Sequence, residues 1–184
     1  DFLEWYAGVE RGNYLLADHP DEIGEMFDAM HRLLMRKLEL TADTSPADII
    51  YLTENTSTTV LSLEQFRRYC APRLTEYCMA VRARERIILL HMCGHLMNLL
   101  PDLARLPTHG YEAFTSPPVG NTTLADGRSA CPDKCLVGGT DATLWLKGSR
   151  EIIASIEEQL AALPHNRGIA ITSAGVMTPL CEPE

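Results

Sequence analysis

The sequence predicts an α/β fold built on parallel strands. Short apolar segments that end in polar residues alternate with amphipathic helical segments, which is the pattern of repeated strand and helix units in a parallel sheet. The predicted strands lie at residues 47–52, 87–90, 111–114, 135–139 and 169–172. Short strands with one irregular loop after each favour a (β/α)8 TIM barrel over an open sheet. Because a complete barrel takes about 250 residues, we expect a fragment of one.

The helical segments follow from apolar spacing and from proline positions. Residues 21–40 carry apolar side chains at helical spacing, and Pro20 suits the first turn of that helix. Before it, we expect a helix over residues 1–12 and a loop over residues 14–20, in which Asp18 caps the next helix. Ser62 is expected to cap a helix that Pro72 breaks or restarts. Further helices are expected at residues 95–106 and 149–163.

Composition narrows the function classes. The chain has 46% hydrophobic and 22% charged residues and a net charge of −9. This charge, without any Lys/Arg-rich run, argues against nucleic acid and anionic membrane surfaces as partners. We identify no membrane span and no signal peptide, so the six cysteines are predicted to be reduced thiols of a cytoplasmic protein. Since the chain begins at Asp1 without Met and stops directly after a loop, we expect both ends to be cut.

The segment at residues 86–95 is the main candidate for chemistry. Four apolar residues are followed by His91, Cys93 and His95, with Gly94 allowing the chain to turn. The apolar run is typical of a strand buried on both faces of a parallel sheet, and it delivers its polar end to the catalytic edge of α/β folds. If the strand persists, His91 and Cys93 share a face and form half of a zinc site. The alternative is a buried structural histidine beside a buried free cysteine.

The other predicted strand ends add polar side chains to the same edge. Together they are typical of a pocket with a metal or an acid–base centre. We predict catalytic roles for Glu54, His91 and Asp141, and substrate-binding roles for Asn55, His95, Thr115, Ser116, Asn121 and Ser173. For Glu54 and Asp141, helix capping is an equally weighted alternative.

Four features of the sequence resemble the uroporphyrinogen decarboxylase superfamily, which includes the corrinoid-dependent methyltransferases. They are His91-Met-Cys93-Gly94, the strand from Asp48 followed by Glu54-Asn55, the helix start at Leu61-Ser62 with Phe66 and Pro72, and the closing segment Ala174-Gly175-Val-Met-Thr-Pro179 with Pro183-Glu184. The resemblance covers nearly the whole chain and corresponds to the second half of the family's barrel. It implies one partial domain over residues 1–184.

The methyltransferase branch of this resemblance implies a zinc site. There, a His-x-Cys motif and a later cysteine hold zinc, which binds the methyl-accepting thiol as a thiolate. His91 and Cys93 match the first two ligands, but Gly175 stands where the later cysteine is expected. Cys181, His95 or Glu54 would have to substitute, and our predicted ligand set is His91, Cys93 and Cys181.

The decarboxylase branch implies different chemistry at the same strand end. It carries a histidine at the closing position, where this chain has Gly175, and it holds the substrate's acidic groups with residues from the first half of the barrel. Our first hypothesis is therefore a methyltransferase-type enzyme with a metal-activated thiol. The alternatives are a tetrapyrrole decarboxylase, in which His91 is an acid or hydrogen-bond donor without metal, and a non-catalytic corrinoid or tetrapyrrole-binding protein. We expect a small-molecule or corrinoid-protein substrate and a homodimer.

Overall fold

Five parallel strands form one sheet in the computed structural model, which describes residues 2–175, 177 and 179–181. The strands pair in chain order: β1 Ile49–Thr53, β2 Ile87–His91, β3 Gly110–Phe114, β4 Cys135–Gly138 and β5 Ile169–Ile171. All five predicted strands are present, with bounds within two residues of those expected. The parallel, sequential order with helices between strands confirms the α/β class and a partial fold of TIM-barrel type.

The amino-terminal helices differ from the prediction. A π-helical segment, Phe2–Tyr6, is followed by α1 Val9–Asp18 and α2 Pro20–Thr44. The expected helix over residues 1–12 is wrong because Gly8, at φ 78°, separates the π-helical segment from α1. The expected loop at residues 14–20 is also wrong, since α1 continues to Asp18. His19 takes the capping position of α2 without a side-chain bond, and Pro20 lies in the first turn as predicted.

The helices that follow the strands are short except for two. After β1 come α3 Leu63–Gln65, a π-helical segment Phe66–Cys70 and α4 Ala71–Arg82. After β2 come a 3₁₀ turn Met97–Leu99 and α5 Leu100–Leu103. β3 is followed by α6 Leu124–Ala130, and β4 by a 3₁₀ turn Leu144–Leu146 and α7 Ser149–Ala161. Ser62 forms a capping box with Gln65, and Pro72 begins α4, as predicted. The helix expected at residues 95–106 begins late because Ser57 and Asn121 bind the amides of His95 and Leu96.

The two faces of the sheet have different environments. On the face toward the helices, Ile50, Ile88 and Leu90 are buried and belong to the main hydrophobic core. On the opposite face, which we call the inner face, Ile49 and Ile87 are 49% and 40% exposed. Burial of β2 on both faces was therefore a wrong expectation: alternate residues meet helices only on one side.

None of the described helices is both long and apolar enough to cross a membrane. In the closing segment of the resemblance, Val176, Thr178, Pro183 and Glu184 lie outside the described residues, as does Asp1 at the start of the chain.

Candidate functional site

Three neighbouring strands bring Tyr51, His91 and Glu112 together on the inner face of the sheet. His91 is the last residue of β2 and lies in register with Thr53 of β1 and Glu112 of β3. Side chains in register in a parallel sheet share a face, and Tyr51 shares that face because it precedes Thr53 by two residues. The long phenol side chain of Tyr51 spans the remaining distance along the strand.

These three side chains form a closed hydrogen-bonded group, which we call the His91 group. The Tyr51 hydroxyl donates to Glu112 Oε2 at 2.6 Å. His91 Nδ1 lies 2.6 Å from the same carboxylate oxygen and 2.5 Å from Tyr51 Oη. Only 15% of the His91 side chain and 23% of the Glu112 side chain are exposed. Glu112 therefore holds both the imidazole and the phenol in place, and neither partner contacts His91 Nε2.

The surroundings of His91 favour its protonated form. Its interaction with Cys93 and then its hydrogen bond to Glu112 raise the pKa of His91 to about 9, although partial burial acts in the opposite direction. Burial and the adjacent Glu112 carboxylate also raise the pKa of Tyr51 above its ordinary value. The group thus presents an imidazolium and a neutral phenol at neutral pH.

Cys93 is half-buried and interacts with the His91 side chain. β2 ends at His91, however, so the strand does not persist to Cys93, as the predicted shared face of the two residues assumed. Cys181, the third predicted ligand, is half-buried in the closing segment. Across the described ranges, no three histidine, cysteine, aspartate or glutamate side chains are placed to hold one metal ion. The donor set around His91 therefore does not fit a three-ligand zinc site, and the assignment of these residues as ligands stays a prediction.

Glu54 and Asn55 follow β1 directly but do not join the His91 group. The Glu54 amide donates to the carbonyl of His91 at 3.1 Å, so the two loops are adjacent. The Glu54 side chain, however, lines a separate cavity and accepts a hydrogen bond from Thr56 at 2.9 Å. Burial raises the pKa of Glu54. Asn55 Nδ2 lies 3.5 Å from a carboxylate oxygen of Glu4 and lines the same cavity.

The loop after β2 is held by two of the predicted substrate-binding residues. Asn121 Oδ1 accepts from the amides of Leu96 and Met97 at 2.8 and 3.1 Å. The carbonyl of His95 accepts from the amide and hydroxyl of Thr58, both at 3.0 Å. These contacts hold residues 95–97, which follow His91 in the chain, and the binding roles of Asn121 and His95 stay predictions.

The remaining predicted site residues bond both within their own loops and to distant segments. Thr115 donates to the carbonyls of Ala113 and of Ala174 in the closing segment, and Ser116 donates to Gln159 of α7. Ser173 donates to the carbonyl of Gly175. Their predicted binding roles stay untested by these contacts.

Asp141, predicted to be catalytic, lies in a turn that its own side chain organises. One carboxylate oxygen accepts from the amide and hydroxyl of Thr143 at 2.7 and 2.5 Å and from the amide of Leu144 at 3.3 Å. These bonds close a turn just before the 3₁₀ turn Leu144–Leu146, whose capping position is Thr143 and has no side-chain cap, so the catalytic role and the capping alternative both stay predictions. The carboxylate is buried and serves three donors, which supports a structural part for it.

Sequence reasoning missed Tyr51 and Glu112. Both lie inside segments that are predicted as apolar strands, whereas the predicted site residues lie at the ends of the strands or after them. The available signal was Glu112 itself, because an acidic residue within a strand next to buried aromatic residues needs a partner. The partner became evident only from the strand register.

The comparison with protein-family models identifies one family. The model described as Uroporphyrinogen decarboxylase (URO-D) matches residues 7–183, which include all five strands and the whole His91 group. The chain has no significant match among curated proteins. On the strength of the family match, the chain belongs to the uroporphyrinogen decarboxylase family.

Proposed function

We propose that the chain carries an acid–base centre for a decarboxylation of the uroporphyrinogen decarboxylase type, with His91 as the proton donor. The observation that carries this proposal is the hydrogen-bonded group of Tyr51, His91 and Glu112 at the carboxyl edge of the sheet. Chemistry in this fold class takes place at that edge. Membership of the family supports a decarboxylase-like or methyltransferase-like function at the superfamily level.

The geometry supports a simple division of roles. When a substrate carboxylate leaves as carbon dioxide, the carbon–carbon bond breaks and its electron pair stays on the substrate. A cationic donor stabilises that developing charge and then supplies the proton that completes the new carbon–hydrogen bond. Glu112 and Tyr51 contact Nδ1 of His91, so we assign the proton transfer to Nε2. Cys93 and then Glu112 favour the protonated ring; Glu112 also orients it, and Tyr51 fixes the carboxylate.

The substrate class follows from the family resemblance, which implies a carboxylated tetrapyrrole. A cationic imidazole at the carboxyl edge suits the acidic side chains of such a molecule. The exposed Ile49 and Ile87 begin their strands, at the opposite end from Thr53 and His91, so they do not border the proton donor.

The test is product analysis with uroporphyrinogen under anaerobic conditions. We expect chromatography to resolve products with fewer carboxyl groups. We expect His91→Gln and Glu112→Gln to slow their formation by about a hundredfold, the lower range for loss of an acid–base group. Glu64→Gln is the matched control, because Glu64 is an exposed carboxylate outside the His91 group. Saturable binding without products would favour the non-catalytic tetrapyrrole-binding alternative, and wild-type rates in His91→Gln would refute the role of His91.

A second candidate, methyl transfer to a metal-activated thiol, is supported by the pair of His91 and Cys93 at the end of β2. Because the described residues provide no third ligand, we derive no step through zinc. The deciding measurement is metal content by mass spectrometry of protein purified without chelator, beside Cys93→Ser. About one zinc per chain, lost in the variant, would favour this candidate. Folded protein without metal would leave the decarboxylation proposal.

A further inference from the structure

The strand that carries Glu112 contains a bulge directly after this residue. The register between β3 and β4 shifts between Glu112 and Phe114, and Ala113 lies in the left-handed region at a φ of 55°. Residues other than glycine rarely adopt this conformation, so the surrounding structure has to hold it. β-bulges re-aim side chains and are common next to active sites. The position of this bulge therefore points to Glu112.

The bulge changes which face of the sheet the residues of β3 occupy. The Tyr111 hydroxyl bonds to α5 and the Phe114 ring lies against Gly127 of α6, so both side chains are on the face toward the helices. Glu112, between them, bonds to His91 on the inner face. In a regular strand, residues three apart lie on opposite faces. The bulge thus allows β3 to bury Tyr111 and Phe114 together and still direct Glu112 to the His91 group.

One buried hydroxyl holds the bulge. Thr115 is 2% exposed, and its hydroxyl donates to the carbonyl of Ala113 at 2.7 Å and to the carbonyl of Ala174 at 3.3 Å. Ala174 also lies in the left-handed region, at a φ of 49°. The Thr115 hydroxyl therefore joins two segments of unusual backbone, the bulge in β3 and the closing segment after β5.

We propose that Thr115 is a positioning residue for the His91 group, which holds the Ala113 bulge so that the Glu112 carboxylate meets His91. This inference rests on the proposed function, because such positioning serves the reaction only if His91 gives the proton. Glu112 Oε2 lies 2.6 Å from both Tyr51 Oη and His91 Nδ1, so a small shift of its backbone weakens two contacts at once. The role differs from the substrate binding predicted for Thr115, since the hydroxyl proton is already shared between two carbonyls.

The first test is NMR on the full chain at a fixed pH, and it needs no turnover. In the wild type, we expect a strong NOE between the amide and α protons of Ala113, because a positive φ brings them together. Thr115→Val should weaken this NOE and shift the aromatic signals of Tyr51 and His91, whereas Thr115→Ser, which keeps the hydroxyl, should retain the wild-type spectrum. Thr122→Val is the matched control, because Thr122 is buried and its hydroxyl has no hydrogen-bond partner among the described residues.

The second test is the kinetics of decarboxylation with uroporphyrinogen. We expect Thr115→Val to lower kcat by about tenfold with little change in KM, as for a reacting group that is slightly displaced. A substrate-binding role would raise KM instead. In a Glu112→Gln background, Thr115→Val should cause no further loss, because the threonine acts through Glu112.

Three results would overturn the proposal. The first is a negative φ at Ala113 in the wild-type chain, and the second is unchanged Tyr51 and His91 signals in a folded Thr115→Val protein. The third is a further tenfold loss of kcat when Thr115→Val is added to Glu112→Gln. Because the first two need no product, the positioning role is decided even in a chain that forms none, whereas the proposed function is decided by product formation.

Discussion

The reactivity of Cys70 reports on the cavity that Cys70 and Glu54 both line. Cys70 lines that cavity, and burial followed by the nearby Glu54 carboxylate raises the pKa of the thiol from 9.0 to about 12. At pH 8 a thiol with the pKa of the folded chain gives roughly a thousandfold less thiolate than the same thiol in the unfolded chain. A more basic thiolate is more nucleophilic, and a Brønsted coefficient of about 0.45 recovers roughly twentyfold of that loss. We therefore expect Cys70 to react about fiftyfold more slowly in the folded protein.

The assay is alkylation by iodoacetamide at pH 8, quenched at intervals and followed by peptide mass spectrometry. The same residue in urea-unfolded protein provides the reference rate, and the exposed Cys135 reports that the reagent is active on the folded chain. In Glu54→Gln, Cys70 should react faster than in the wild type, by a smaller factor than unfolding gives, because the carboxylate is the second cause of the shift. A folded-state rate for Cys70 within threefold of its unfolded rate would refute this account of the cavity.

Three further predictions address the fold and its pH dependence. Burial and two neighbouring cations lower the pKa of His109, so the unfolded chain binds a proton on this imidazole more readily than the folded chain does. Urea titrations should therefore show the free energy of unfolding falling as the pH drops below about 6.5. The fall should be smaller in His109→Asn. Ile88→Ala removes a fully buried side chain and should lower the free energy of unfolding by about 2 to 5 kcal/mol. Ile87→Ala, on the exposed inner face, should lower it by less than about 1 kcal/mol. Equal losses in the two variants would contradict the different environments of the two faces. Gly138→Ala should lower the melting temperature, because the added Cβ would lie 2.5 Å from the carbonyl oxygen of Phe114 in β3 and because Gly138 has a φ of 147°. Gly148→Ala should leave the melting temperature unchanged, since a Cβ there meets open space.

The strands were predictable because their signal is local. Each is an apolar run that stops at polar residues, and this pattern does not depend on what the strand packs against. The exposure of Ile87 was not predictable in this way, since it depends on whether another layer covers the inner face.

The break at Gly8 and the short helix α6 were not predicted from the sequence. The capping box of Thr123 and Asp126 marks α6 in the sequence, but the helix has only seven residues and little periodicity.

The candidate site was predictable only where it lies at the end of a strand. His91 was identified because it follows an apolar run, and its position at the carboxyl edge is confirmed. Tyr51 and Glu112 were missed because their link to His91 depends on the register of three strands that are distant in sequence. Register is set by packing across the sheet, and no single segment encodes it.

The alternation of side chains along β1 explains why two sites of different chemistry lie so close together. Tyr51 projects to the inner face and reaches Glu112, whereas Glu54, just after the strand, lines a cavity among the helices. In the first site the carboxylate meets the imidazole of the same chain; in the second, burial raises the pKa of the Glu54 carboxyl and so favours its neutral form. The first arrangement is suited to holding and giving a proton. Because the Glu54 amide bonds to the carbonyl of His91, the loop that carries Glu54 also holds the backbone of the proposed proton donor.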